Sequence, residues 1–365
     1  MDQLVVIEQK VNNGERLTRE DGLYLLASDE LLQIGELAHR VKRRKTGDKV
    51  FFNVNRHINL TNVCQARCKL CAFGCDADAP QAYVMDRDKA LAIAREAVAQ
   101  APELSEFHIV SALHPDKPFE YYVDIVQSIH SEFPDLHIKA FTAVEIVHFA
   151  KISGKSIADV LRVLQEAGLK SMPGGGAEIL NDRVRSQICE KKATTAEWLE
   201  VIRTAHKMGL RTNATILYGH VETPEERIDH LLTLRALQDE TGGFQAFIPL
   251  PFHPDNTGMA HIKRTTAWDD LKMLAVSRLM LDNFDHVKGF WIMLTVSVAQ
   301  LSLAFGVDDL DGTVVEEKIV HSAGAKTALG ISKSDIITLI RETGHTPVER
   351  DTLYGEVQVY EEGDN

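Results

Sequence analysis

A (β/α)8 barrel of the TIM type, in the α/β class and with an N-terminal helical extension, is the fold this sequence predicts. Three observations carry that reading. Strand-like and helix-like segments alternate eight times. No long linker interrupts them. Polar and reactive side chains collect just after the strand candidates, where barrels of this kind keep their chemistry. A flavodoxin-like open sheet shares the alternation, but eight regular units favour closure.

Taken in order, residues 16–42 read as two short helices, with Thr18 and then Ser28 as N-caps ahead of acidic first turns. The strand candidates are 50–60 (VFFNVNRHINL), 106–113, 136–143, 168–174, 211–219, 244–250, 286–294 and the short 307–314. Amphipathic stretches at 88–101, 121–133, 156–168 and 196–209 fall between them, and Gly168 and Gly209 stand where C-terminal caps are wanted. The expected division is an extension over 1–50 packed on the barrel, a barrel over 51–350, and a C-terminal tail over 351–365 whose end, YEEGDN (360–365), is frayed.

The chain has 365 residues, enough for one large core. Hydrophobic residues make up 44% and charged residues 25%, the balance of a globular enzyme. A net charge of −13 argues against nucleic acid as a partner. No apolar run reaches the length of a membrane span, and the first residues lack a basic segment followed by an apolar one, so no signal peptide is expected. Five cysteines, three of them clustered, suit a reducing compartment, and the cytoplasm is the expected location.

Cys64, Cys68 and Cys71 form the C-x3-C-x2-C triplet CQARCKLC directly after the first strand candidate. Soft thiolates select iron–sulfur clusters or zinc. A closed cluster takes four cysteines, so a three-cysteine loop implies a [4Fe-4S] cluster with one iron open to a ligand. Two other readings stay open. Cys75 could supply a fourth thiolate, and zinc could bind, although zinc sites usually pair two C-x2-C halves and no second half exists here. Cys189 reads as an incidental thiol.

Other loops add ligand chemistry. The run Gly174, Gly175 and Gly176 leaves backbone amides open to close approach, and Glu178, Arg183 and Arg185 follow it. Alternation places Asn213 and Thr215 on one face of their strand, a face that could line a barrel interior or plug it. Phe247, Ile248 and Pro249 could pack on a flat ring such as adenine. Near the last strand, Asp308, Asp309, Asp311, Glu316, Glu317 and His321 crowd together, either as a divalent-metal site or, more commonly, as helix caps and solvated faces.

The triplet, closed by CAF at 71–73, resembles that of the radical S-adenosylmethionine (SAM) superfamily. Beyond it, LHPDKPFEYY (113–122), LHIKAFTAVEI (136–146), PGGGAEI (173–179), TNATILYGHVET (212–223), LQDETGGFQAFIPLPFHP (237–254) and DDLDGTVVEEKI (308–319) resemble the aminofutalosine synthases. These are radical SAM barrels of the futalosine route to menaquinone. One departure shows: Ser111 and Ala112 stand where the family usually has Gly-Gly before LHP.

The resemblance implies that Cys64, Cys68 and Cys71 hold the cluster and that SAM chelates the open iron. Phe73 would lie by the adenine, and Glu178 and Arg185 would contact the amino-acid or ribose part of SAM. Gly174, Gly175, Gly176, Asn213, Thr215 and Ile248 complete the expected cofactor site. It also implies addition of the 5′-deoxyadenosyl radical to 3-[(1-carboxyvinyl)oxy]benzoate, an aromatic enol-ether dicarboxylate. Rearrangement and loss of one carboxylate would give 6-amino-6-deoxyfutalosine. The two carboxylates need local cations or donors, and the candidates are His114, Arg183, Tyr218, His220, His253 and His321, with Arg best suited to bidentate binding. A one-electron donor such as flavodoxin or ferredoxin is the implied partner. The rival readings are the related cyclase acting on dehypoxanthine futalosine and, in another class, an iron–sulfur electron carrier.

Overall fold

In the computed structural model, residues 3–314 and 317–361 are described. Among them are eleven strands: β1 (Lys49–Asn53), β2 (Asn55–Asn59), β3 (Glu106–Val110), β4 (His137–Ala140), β5 (Ser171–Met172), β6 (Arg211–Tyr218), β7 (Phe244–Pro251), β8 (His286–Val287), β9 (Asp309–Gly312), β10 (Thr346–Arg350) and β11 (Glu356–Val359). Strands β2 to β8 pair in chain order, all parallel, as one seven-stranded sheet. Helices bridge successive strands, as parallel pairing requires.

The apolar run 50–60, expected as one strand, is two. Residues 49–52 pair with 346–349 of β10, whereas 55–59 pair with 106–110 of β3. The break falls at Val54, without a glycine or proline to mark it, because each half serves a different sheet. The second sheet has the order β11-β10-β1-β9. Strand β9, the eighth candidate, fills the seam of the barrel. Gly289 N–H donates to the Asp309 carbonyl at 2.8 Å on one side, and Thr313 N–H donates to the Asn53 carbonyl at 3.2 Å on the other.

Three further differences have local causes. The fourth candidate shrinks to Ser171–Met172 because Pro173, which has no N–H, and then the glycines follow. The seventh keeps only His286–Val287, and Trp291–Leu294 turns helical. The segment expected as a tail holds β11, paired antiparallel with β10, while residues 362–365 lie outside the described residues.

The N-terminal extension has three helices, Gln3–Asn13, Arg19–Ala27 and Leu31–Thr46. The first was not foreseen, although Leu4, Ile7 and Val11 are its buried face at helical spacing. Thr18 caps the second helix in a capping box with Asp21. The third begins at Leu31 instead of after Ser28, whose hydroxyl accepts from the Glu30 N–H.

The acidic cluster near β9 is an ion-pair network. Asp308 meets Arg278 at 2.5 Å, Asp309 meets Arg350 at 2.7 Å, and Asp311 meets Lys288 at 2.7 Å. Glu317 caps the helix Ile319–Ser322 by accepting from Ile319 and Val320 N–H groups. Glu316 lies outside the described residues. With cations already seated on these aspartates, the structure assigns them to holding the seam.

Candidate active site

The cysteine loop leaves the end of β2 and is tied to loops that follow other strands. Gln65 N–H donates to the Leu113 carbonyl after β3, Lys69 N–H to Ile188 after β5, and the Lys69 carbonyl accepts from Gly258 after β7. Cys64 N–H donates to the Cys75 carbonyl at 3.0 Å and Cys75 N–H to Asn62 at 2.8 Å, which clasps the loop at its base. Cys75 works through its backbone here, and its side chain is buried.

Cys64, Cys68 and Cys71 all line one cavity of about 360 Å³ at the C-terminal end of the strands. They are free thiols, partly open to it. A Cβ placed on Gly74 would stand 3.8 Å from Cys64 Sγ and 4.0 Å from Cys71 Sγ, so a bare glycine leaves room between the two thiols. Among the described residues no three Cys, His, Asp or Glu side chains converge on a single-ion site. Three thiols lining one cavity suit a cubane, whose irons each take their own thiolate. Burial pushes the Cys68 thiol up to about 12. The loop fits a [4Fe-4S] cluster.

The glycine run forms the facing wall. Thr215 Oγ1 donates to the Gly174 carbonyl at 2.8 Å, and Trp198 Nε1 to the Gly175 carbonyl at 3.5 Å. Arg185, expected against SAM, lies behind the run and does not line the cavity. Its guanidinium donates to the carbonyls of Gly176, Ala177 and Ala193, stapling the loop from outside. Glu178 does line the cavity, with Lys192 at 2.6 Å. Burial alone would raise its pKa, but Lys192 outweighs that and holds the carboxylate below its usual range. Phe73, Gly174, Gly175, Gly176, Asn213, Thr215 and Ile248 line the same space, and Thr215 and Ile248 are register partners on β6 and β7.

Ser111 and Ala112 also line it. Ser111 N–H is spent on Glu145 Oε1 at 2.6 Å, while Glu145 Oε2 accepts from Thr142 N–H and Oγ1. Burial pushes Glu145 up to about 7 against those three donors. Arg67, Glu178 and Asp311 line the cavity with φ of 46°, 48° and 67°. Left-handed backbone at non-glycine residues is worth about 1–3 kcal/mol of strain each, and such residues gather at functional sites.

The candidates for the substrate carboxylates are mostly placed elsewhere. His253 lines the cavity, with Nε2 against the Met293 carbonyl at 2.9 Å and Nδ1 buried without a partner among the described residues. His114 Nδ1 accepts from Asp116 N–H in its own loop. Tyr218 donates to Asp270 at 2.8 Å, and His220 is enclosed between the Leu217 carbonyl, the Val221 N–H and Glu222. Arg183 is bound by both oxygens of Glu226, and His321 by Glu317 and the Thr327 carbonyl. None of these five lines the cavity. In their place it presents His57, His108, Lys139 and Lys192, which a reading of the loops missed. Alternation along β2 and β3 puts His57 with Asn59 and His108 with Val110, and that pattern was the available signal.

Residues 58–234 match the model of the radical SAM superfamily, and 241–362 match that of the CofH/MqnC C-terminal region. The chain is 47% identical to aminodeoxyfutalosine synthase of Thermus thermophilus over 98% of its own length and 97% of that protein. It belongs to the aminodeoxyfutalosine synthase family of radical SAM enzymes. The family's cofactors are a [4Fe-4S] cluster and SAM. This synthase-family chain is also 39% identical to the 5-amino-6-(D-ribitylamino)uracil--L-tyrosine 4-hydroxyphenyl transferase of Methanothermobacter thermautotrophicus, over 94% of its length and 95% of that protein. In fold it is similar to methylornithine synthase, with a TM-score of 0.74 at 16% identity, covering 93% of this chain and 97% of the other. No helix among the described residues is long and apolar enough to cross a membrane.

Proposed function

We propose that this chain is an aminodeoxyfutalosine synthase. It joins the adenosyl part of SAM to 3-[(1-carboxyvinyl)oxy]benzoate and yields 6-amino-6-deoxyfutalosine, methionine and bicarbonate or carbon dioxide, within menaquinone biosynthesis. The observation that carries the reading is a single cavity in which the cysteine triplet faces a glycine-lined wall. It lies in a chain 47% identical, end to end, to a synthase of that name. When bound, the cluster and SAM supply a carbon-centred radical.

The chain's own residues position and enclose. Cys64, Cys68 and Cys71 hold the cluster, with Gly74 leaving space between two of the thiols. Phe73, the glycine run, Glu178, Asn213, Thr215 and Ile248 form the walls against SAM. Leu217, Leu250, Phe290 and Met293 supply apolar lining for an aromatic ring and exclude water from it. The substrate is a small molecule. A flavodoxin or ferredoxin is the proposed electron donor and the cytoplasm the proposed compartment, since the thiolate ligands need a reducing environment.

The test is anaerobic turnover of reconstituted protein with dithionite, SAM and the carboxyvinyloxy-benzoate, read by mass spectrometry. A product holding both adenosyl and benzoate parts, with methionine released, is expected. Release of 5′-deoxyadenosine without that adduct overturns the assignment. Parallel incubations with dehypoxanthine futalosine, and with tyrosine plus the ribitylaminouracil, would then identify the cyclase or the hydroxyphenyl transferase chemistry.

A further inference from the structure

Strands β2, β3 and β4 are in strict register, with His57 opposite His108 and His108 opposite Lys139. Aligned positions share a face of a sheet, and all three side chains line the cavity. His57 and His108 lie two residues before the ends of their strands, so at ~3.3 Å per residue the row sits roughly 7 Å below the loops that carry the cysteines. It forms the floor of the site.

The acceptor within reach of the row is Glu106, whose Oε2 meets Lys139 and whose Oε1 is buried 3.7 Å from His108 Nδ1 without a hydrogen bond among the described residues. The two imidazole rings stack with centroids 4.4 Å apart and planes 14° from parallel. His57 Nε2 is sealed from solvent with no partner among the described residues. Lys139 is 3% exposed, and its ammonium donates to Glu106 at 2.7 Å. An ammonium has three N–H groups, and this is the one hydrogen bond it makes among the described residues. Burial works against the Glu106 carboxylate, but Lys139 and His108 outweigh it and hold its pKa well below the ordinary range.

Other charges facing the cavity are already engaged. Lys192 is taken by Glu178, Asp311 by Lys288, and half-exposed Arg67 donates to the Gly74 carbonyl. A row in which Lys139 has N–H groups unspent, and in which His57 and His108 are half-buried at the cavity wall, is completed by a carboxylate, which offers about four lone-pair sites on two oxygens.

We propose that His57, His108 and Lys139 seat the ring carboxylate of the aromatic substrate, so that its enol-ether end faces the cysteine loop. This rests on the synthase reading and deepens it. The enol carboxylate is attached beside the reacting carbon and must stay near SAM. The ring carboxylate is at the far end of the molecule and needs a receptor one layer deeper, where this row stands. The ring itself then spans the apolar side chains of Val110 and Leu250.

The test is equilibrium binding to cluster-loaded protein with SAM and no reductant, so that nothing turns over. Three ligands are compared: the diacid, its analogue with a carboxamide on the ring, and its analogue with a carboxamide at the enol carbon. Because Lys139→Met alone would strand Glu106, the variant is the pair Lys139→Met with Glu106→Gln, and His108→Gln is a second, milder variant. Wild type should prefer the diacid to the ring amide by about 10–100-fold, the range of a charge-assisted contact. The paired variant should lose that preference and keep wild-type discrimination against the enol amide. His108→Gln should lose part of it. If folded variants keep the preference against the ring amide, or lose it at the enol carbon instead, the inference is overturned. Wild-type protein that fails to bind the diacid at all overturns the synthase reading and this inference together. Wild type that converts the diacid while the variants discriminate normally overturns this inference alone.

Discussion

Alanine at each of three consecutive glycines should produce three different outcomes, set by what each new methyl group meets. At Gly174 a Cβ would stand 2.6 Å from the carbonyl carbon and oxygen of Asn213 and 2.8 Å from Cα of Ala214. These are backbone atoms of β6 that are laddered to β7, so they cannot retreat without straining that ladder. Overpacking costs about 1–3 kcal/mol, and a backbone collision belongs at the upper end. If the loop relieves it by moving into the cavity, ~3 kcal/mol corresponds to about a 100-fold loss of SAM affinity. At Gly176 the backbone has φ of +82° and a Cβ would meet Val144 Cγ2 at 2.5 Å. Left-handed alanine costs roughly 1–2 kcal/mol, and Val144 can yield by a rotamer change, so about a tenfold loss is expected. At Gly175 the nearest atom is Thr142 Cγ2 at 3.2 Å, on a side chain that can give by a few tenths of an ångström, and little change is expected. The assay is equilibrium dialysis of SAM against cluster-loaded protein, alongside the thermal midpoint of each variant. Gly174→Ala binding SAM as wild type does, or Gly175→Ala being the worst of the three, would refute the placement of this run against the β6 backbone.

Arg185→Lys should weaken SAM about tenfold although the guanidinium lies outside the cavity, because a lysine cannot serve three carbonyls at once. Unchanged affinity by the same dialysis would remove the stapling role. Cys75→Ser should retain its full iron load, whereas Cys68→Ser should not. Equal losses in iron analysis would make Cys75 a ligand. The Glu317 carboxylate, with carbonyls adding and burial opposing, lifts His321 to about 9. With the folded value above the ordinary 6.5, the stabilisation is full below pH 6.5 and is lost as pH rises through 9. Amide exchange over 319–322, corrected for intrinsic rates, should therefore accelerate across that window in wild type and lose the dependence in His321→Gln.

The cluster loop was legible because thiolate spacing is a local property of the chain, and the parallel order of β2 to β8 because strand and helix periods differ. What escaped was anything decided by long-range partners. Nothing in FFNVNRH announces that Asn53 belongs to one sheet and Asn55 to another, since the break is set by β9 and β10 on one side and β3 on the other, all distant in the chain. The loop cations misled for a related reason. Arg183, Tyr218 and His220 carry suitable chemistry, but Glu226, Asp270 and Glu222 take them up. A sequence shows donors and not which of them are already spent. His57, His108 and Lys139 sit in strands that read as wall, and which face closes on a cavity follows only from register. Arg185 stood out correctly beside the glycines, yet its reach is backward.

The seam has a consequence for how the molecule is made. Lys49 finds its partner at Thr346, a separation of roughly three hundred residues, and such distant pairings are late, slow events in folding. While the ribosome is still extending the chain, the cysteine loop and its neighbouring strands have emerged, but the stave formed by β9, with β10 behind it, has not. The nascent barrel must wait as an open trough, its inner row accessible to solvent. The last stretch of chain to be made is thus the one on which closure of the barrel depends.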